Sequence, residues 1–145
     1  MHDIEFRIPV RLVSNGVHIP LPAIFSYSAS RPYEVSVAFL TGEPEPVTWT
    51  FGRDLLREGL ERPSGPGDVH IAPSPYARSA YPLGLPERQL AMKVTSPHGD
   101  ASFLMNWDEV AAFLNRTYNL VPAYSEGTHL DIDADLVALL GDPEL

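Results

Sequence analysis

Residues 31–60, RPYEVSVAFLTGEPEPVTWTFGRDLLREGL, leave little freedom in what this chain can fold into. Val35, Val37 and Phe39 alternate with Glu34, Ser36 and Ala38. That period of two puts one face of a strand into a core. Thr41-Gly42-Glu43-Pro44 breaks the strand, and Val47, Trp49 and Phe51 then alternate against Thr48 and Thr50. Gly52-Arg53-Asp54 ends the second strand and opens a short helix over about 53–58. Leu55, Leu56 and Leu60 are spaced for its buried side, and Gly59 is its expected C-cap. The polar residues here are not grouped as a catalytic set, so the segment specifies a fold and says little about chemistry.

The same patterns run along the rest of the chain. In residues 4–13 the apolar set Ile4, Phe6, Ile8, Val10 and Leu12 opposes Glu5, Arg7 and Arg11. Pro9 removes a ladder donor, which predicts an edge strand or a bulge. Ser14-Asn15-Gly16 is a turn, and a strand follows over about 21–27, its start restricted by Pro20 and Pro22. Val69 and Ile71 mark a fifth strand. Leu90, Met92 and Val94 mark a sixth, over 89–96, and residues 101–106 a seventh, joined to the sixth as a hairpin. Val110, Phe113, Leu114 and Thr117 give a helix over about 107–118, and Leu136, Leu139 and Leu140 a third over about 133–140. Residues 74–87 hold three prolines with little periodicity and read as a flexible loop.

These elements predict an α+β fold: a strongly curved antiparallel sheet of about seven strands with three helices. At 145 residues the chain is expected to form one domain, 1–145. A chain of that length buries roughly two-thirds of its unfolded surface without covalent staples. A weak repeat is visible: Trp49-Thr50-Phe51-Gly52-Arg53-Asp54 and Leu104-Met105-Asn106-Trp107-Asp108 both lead a strand into a helix. Two ancestral copies of a sheet-plus-helix unit would produce it. So would the common preference of helix N-termini for Asp and Asn.

Composition excludes several classes. There are no cysteines, so disulfides and thiolate metal sites are ruled out, which fits a reducing cytoplasm. The start MHDIEFRIPV does not read as a secretion signal, and no apolar run suits membrane insertion. Ten basic against 19 acidic residues give a net charge of −9. Such a surface repels phosphate backbones, so nucleic acid is not the expected partner.

The usual signs of catalysis are missing. No two of the five histidines lie within four residues of each other, so a helical zinc pair is absent. Asp131-Ile132-Asp133-Ala134-Asp135 has the alternating acids of a calcium loop, but the sixth position is Leu136 and the twelfth is Asp142. Pro63-Ser64-Gly65-Pro66-Gly67 is neither a phosphate loop nor a nucleophile elbow. No catalytic residue, metal or cofactor is expected. A hydrolase would need a pocket with converging carboxylates or a serine–histidine contact, which one sequence does not single out. Tyr76, Tyr81, Leu83 and Leu85, in the proline-rich loop, are the candidate partner-binding residues. Loop aromatics and leucines either anchor a protein partner or fold back over an open sheet edge.

VTWTFGRDLLREGL (47–60) followed by RPSGPGDVHIAP (62–73) resembles the signature region of the SsgA-like proteins, which act in actinobacterial sporulation and cell division. The SsgB branch is the most similar. The likeness extends to Leu21-Pro22-Ala23, Pro32-Tyr33-Glu34-Val35, Phe113-Leu114-Asn115-Arg116-Thr117 and Asp131-Ile132-Asp133-Ala134-Asp135-Leu136. Segment 74–88 is longer and richer in tyrosine and proline than the family pattern. The resemblance implies a Whirly-like fold assembled as a trimer. It also implies a non-enzymatic adaptor that positions or stabilises the tubulin-like division protein FtsZ at septa. Partners would be FtsZ, other septal proteins or other SsgA-like proteins, and the chain would be cytoplasmic, recruited to the division septum. The Whirly-like fold brings one alternative, a single-stranded nucleic-acid-binding module.

Overall fold

The computed structural model describes residues 2–74, 78–79 and 86–129. The expected helix over 133–140 lies outside them. The elements in chain order are β1 (Ile4–Ser14), β2 (Val17–Tyr27), β3 (Glu34–Phe39), β4 (Val47–Gly52) and α1 (Arg53–Gly59). Then come β5 (Val69–Pro73), the two-residue strands β6 (Arg78–Ser79) and β7 (Pro86–Glu87), β8 (Gln89–Ser96), β9 (Gly99–Asn106) and α2 (Trp107–Leu120). A 3₁₀ turn, Glu126–His129, follows. Seven strands form one antiparallel sheet in the order β4-β3-β2-β1-β9-β8-β5, while β6 and β7 pair separately. All seven sheet strands are those read from the period-two pattern.

The first hairpin turns on Asn15 and Gly16, at φ 50° and 78°. Two successive left-handed residues make the tight turn whose twist matches the strands it joins. The strand that follows begins at Val17, four residues earlier than its prolines suggested. The bonding explains why. Leu40 N–H donates to Pro22 O at 3.0 Å, so Pro22 turns its backbone polar edge away from β1. Pro20, two residues back, turns the same way, and β3 pairs with β2 only from Ala23 onward. The missing donors therefore face an edge without a strand. Pro9 stands opposite Pro22, and β9 pairs with β1 only over Val10–Val13. Hence β1 is central in the sheet rather than an edge strand, and Pro9 occupies its unpaired stretch.

The sheet curls. Phe39 on β3 stacks on Phe103 on β9, ring centroids 3.9 Å apart and nearly parallel at 7°. Those strands are three positions apart, about 14 Å in a flat sheet, so only a strongly curved sheet brings the rings together. The concave face carries Ile8, Val10, Phe25, Val37, Phe39, Met92 and Met105, all buried. Onto this face α2 lays Phe113, edge-on to Phe6 at 5.6 Å and to Phe25 at 5.5 Å. Beyond the helices cover thins out. On the edge strand β4 only Phe51 is buried, Trp49 is half-buried and Val47 is exposed, so the expected apolar face of that strand is covered at one end only.

α1 ends one residue later than predicted, with Leu60 and not Gly59 as its C-cap. Gly59 serves packing instead. A Cβ there would lie 2.4 Å from Ile71 Cγ2, so glycine is what lets α1 settle onto β5.

Candidate partner-binding surfaces and a buried arginine

The four residues singled out from sequence, Tyr76, Tyr81, Leu83 and Leu85, lie outside the described residues. The root of their loop is defined. Ser74 N–H donates to Gln89 O at 2.9 Å, and Trp107 N–H donates to Arg88 O at 2.9 Å. The Arg88 guanidinium lies 3.9 Å from the centre of the Trp107 ring and pairs with Asp108 at 2.6 Å. The Arg88 end of the loop between β5 and β8 thus abuts the N-terminus of α2.

That N-terminus is built as the sequence suggests. Asn106 Oδ1 accepts the Glu109 N–H at 2.8 Å, an N-cap on the first turn. The matching position before α1 is Gly52, which makes no side-chain cap. The two strand-to-helix junctions share their order of elements but not their capping chemistry. Trp107 Nε1 donates to Leu60 O at 2.8 Å and ties the start of α2 to the end of α1. Between the helices runs a groove of about 310 Å³, with Leu60, Trp107, Ala111 and Leu114 among its walls and Arg57, Glu61 and Asn115 among its polar groups.

Arg53 is the residue that sequence reasoning missed. Its side chain is 1% exposed. One guanidinium nitrogen donates to Thr117 O at 3.1 Å and to Val121 O at 2.7 Å, the carbonyls that end α2. The other donates to Glu126 Oε2 at 2.9 Å. Tyr118 and Tyr27 flank the guanidinium, at 4.0 and 5.1 Å from their ring centres. Burial pushes the Glu126 carboxyl up. Hydrogen bonds from its own backbone N–H and from Arg53, with the charge of Arg53, outweigh that and hold it below the usual carboxylate range. Burial pushes Tyr27 up to about 12, against the pull of Arg53, and its hydroxyl donates to Pro32 O at 2.9 Å. The signal for Arg53 was present: a cation in the first turn opposes the helix dipole unless something else holds it.

The serine–histidine contact that a hydrolase needs occurs at one place among the described residues. His2 Nδ1 lies 3.2 Å from Ser28 Oγ at the exposed rim of a polar depression that Ser26, Ser36 and Thr50 also line. The neighbouring carboxylate, Asp3, accepts the Ala29 N–H at 2.7 Å and is not placed to orient the imidazole. Ser36 bonds Thr50 at 2.9 Å, and Arg31 pairs with Glu34 at 2.9 Å. The groups of this depression satisfy one another and do not form a charge-relay arrangement. Among the described residues, no cluster of three or more His, Asp or Glu could hold a metal ion. No described helix is long and apolar enough to cross a membrane.

The family model for the Streptomyces sporulation and cell division protein SsgA matches residues 21–126. The chain belongs to the SsgA family. Within it, the chain falls in the SsgB branch. The sporulation-specific cell division protein SsgB of Frankia casuarinae is 40% identical over 99% of this chain and 96% of its own length. The crystal structure of an SsgA-like sporulation-specific cell division protein from Thermobifida fusca superposes with a TM-score of 0.78. It is 37% identical, covering 94% of this chain and 95% of the other. A solved SsgB, from work on longitudinal cell division during sporulation of Streptomyces coelicolor, gives a TM-score of 0.76 at 37% identity. It covers 87% of this chain and 94% of the other. The curved seven-stranded sheet with two α-helices is therefore the architecture that SsgB structures share.

Proposed function

We propose that this chain is a non-enzymatic cell-division adaptor that helps position or stabilise the FtsZ machinery at septa during sporulation. One observation carries the reading. The chain matches an SsgB, a sporulation-specific cell division protein, over nearly the whole length of both sequences. The described surface agrees with such a role, since its grooves are shallow. The working form is a single SsgA-like domain of Whirly-like fold with a third helix at 133–140, assembled as a homotrimer. It acts in the cytoplasm and is recruited to the septum. A symmetric assembly presents several copies of one weak site, and repetition raises avidity for a polymer without any new contact. The proposed contacts are Tyr76, Tyr81, Leu83 and Leu85, with other divisome or SsgA-like proteins as further partners. The net charge of −9 favours this reading over single-stranded nucleic acid.

Co-sedimentation with polymerised FtsZ tests it. The protein is expected to pellet with polymer, to shift the amount of polymer formed, and to mark septa as a fluorescent fusion. Absence from the pellet together with diffuse fluorescence overturns the reading.

A further inference from the structure

The described lysines and arginines are almost all held by the fold. Arg31, Arg53, Arg57, Arg62, Arg88 and Lys93 each lie between 2.6 and 3.9 Å from a carboxylate. Arg116 sits over the Phe6 ring at 6.0 Å. Arg7 and Arg11 are different: neither has a carboxylate or a ring partner among the described residues, and Arg11 bonds the neutral Gln89 Oε1 at 3.1 Å. In a chain with 19 acidic residues, two such guanidiniums on one strand stand out.

Their setting is specific. Arg7, Pro9 and Arg11 alternate on the convex face of β1, opposite the face that α2 covers. Across the ladder stand Ile24, Pro22 and Pro20 in register. Arg7, Pro9, Pro20, Leu21 and Pro22 line a shallow depression of about 370 Å³. Leu104, half-buried on β9, continues the apolar floor beside Arg11. Glu5 and His18 close the two ends of the row. The result is an apolar, proline-stiffened strip with a cation at each side. Six of the described cations meet an acid from this chain and Arg116 lies over a ring; among the described residues Arg7 and Arg11 meet neither, which leaves them for an acid from elsewhere.

The spacing fixes the shape of what fits. Four residues along a strand span about 13–14 Å. An extended peptide has the same repeat, so it meets Arg7 and Arg11 with acids at i and i+4 while residue i+2 rests on the prolines. A helix puts its i and i+4 side chains only about 6 Å apart. We propose that the Arg7–Pro9–Arg11 strip docks an extended acidic segment of a protein partner, read as acid-x-apolar-x-acid. The strip follows from geometry alone; its use in septation rests on the adaptor reading.

The test is fluorescence anisotropy with a labelled eleven-residue peptide centred on Glu-Ser-Leu-Ser-Glu, against a permuted peptide centred on Glu-Glu-Ser-Leu-Ser. Wild-type protein is compared with the Arg7→Glu/Arg11→Glu double variant, with circular dichroism confirming the fold. Arg7→Gln/Arg11→Gln serves if charge reversal disturbs the sheet. Saturable binding to wild type is expected, about tenfold weaker for the permuted peptide and for either double variant, and weaker as salt rises. Absence of binding to wild type, or equal binding by the variants, overturns the proposal. A labelled oligothymidine binding in place of the peptide, with the same arginine dependence, overturns it in favour of nucleic acid. An arginine-dependent change of oligomeric state without peptide binding overturns it in favour of a second copy. FtsZ co-sedimentation separates the two readings. Wild type and double variant pelleting equally removes the strip and leaves the adaptor. Peptide binding without pelleting leaves the strip and removes the FtsZ role.

Discussion

A cation in the first turn of a helix is electrostatically misplaced, because the free amide hydrogens there already carry positive character. Arg53 holds that position in α1, and the structure resolves the conflict by sending its side chain to the opposite pole of α2. The carbonyls of Thr117 and Val121 and the carboxylate of Glu126 receive it. Its Nε is buried without a partner, so the site is satisfied at the two terminal nitrogens only. Truncation strands a buried carboxylate. Arg53→Ala should therefore lose about 3–5 kcal/mol in denaturant unfolding. Arg53→Lys should recover only part of this, because one ammonium does not reproduce the fork that reaches three acceptors. The pH dependence has a definite sign. Glu126 is held below its unfolded value of about 4.3, so its contribution is complete above that value and fades as pH falls through the folded one. Thermal melts from neutral pH down to about 3 should show wild type losing its advantage over Glu126→Gln in that acid window. A constant gap across the range would contradict the assignment.

Elements meet in this fold through close backbone approach and local capping. Gly59 touches Ile71 where any Cβ would overlap it, and isoleucine is a β-branched side chain with little freedom to move. Gly59→Ala should destabilise by about 1–3 kcal/mol through overpacking, although alanine is the better helix former. A melting temperature equal to or above wild type would show that α1 shifts freely on β5. The prolines of β1 and β2 teach a related lesson. Pro9 suggested an edge strand or a bulge, and Pro20 and Pro22 a later strand start, yet β1 and β2 run for 11 residues each, because the missing donors point to unpaired edges. A proline reports a lost donor; which edge of the strand loses it depends on neighbours far away in sequence.

At the scale of the molecule, curvature decides what is core. Phe39 and Phe103 lie 64 positions apart in the sequence, and their stacked rings exist only because three intervening strand spacings bend into an arc. Each single alanine substitution should cost about 3–5 kcal/mol. The pair should be non-additive by at least about 0.5 kcal/mol, since the first truncation already removes the stacking partner of the second. Additive losses in a double-mutant cycle would mean that the rings do not close the arc. The same curvature divides the molecule into a concave face filled by α2 and a convex face that displays Arg7 and Arg11.

Much of this could be read directly from the residues. Seven strands announced themselves by alternation, α2 by its 3, 4, 7 spacing and its asparagine cap, and the family by spaced motifs such as VTWTFGRDLLREGL. Those signals are local, and local periodicity is set by the chain's own geometry. Other features were decided only when distant segments met. Arg53 became buried, Gly59 became a contact and not a cap, Val47 stayed exposed on a strand that looked half-buried, and Arg7 and Arg11 were left without acids. Each depends on which surfaces pack against which, and burial and ion pairing are properties of that packing and not of any single stretch of sequence.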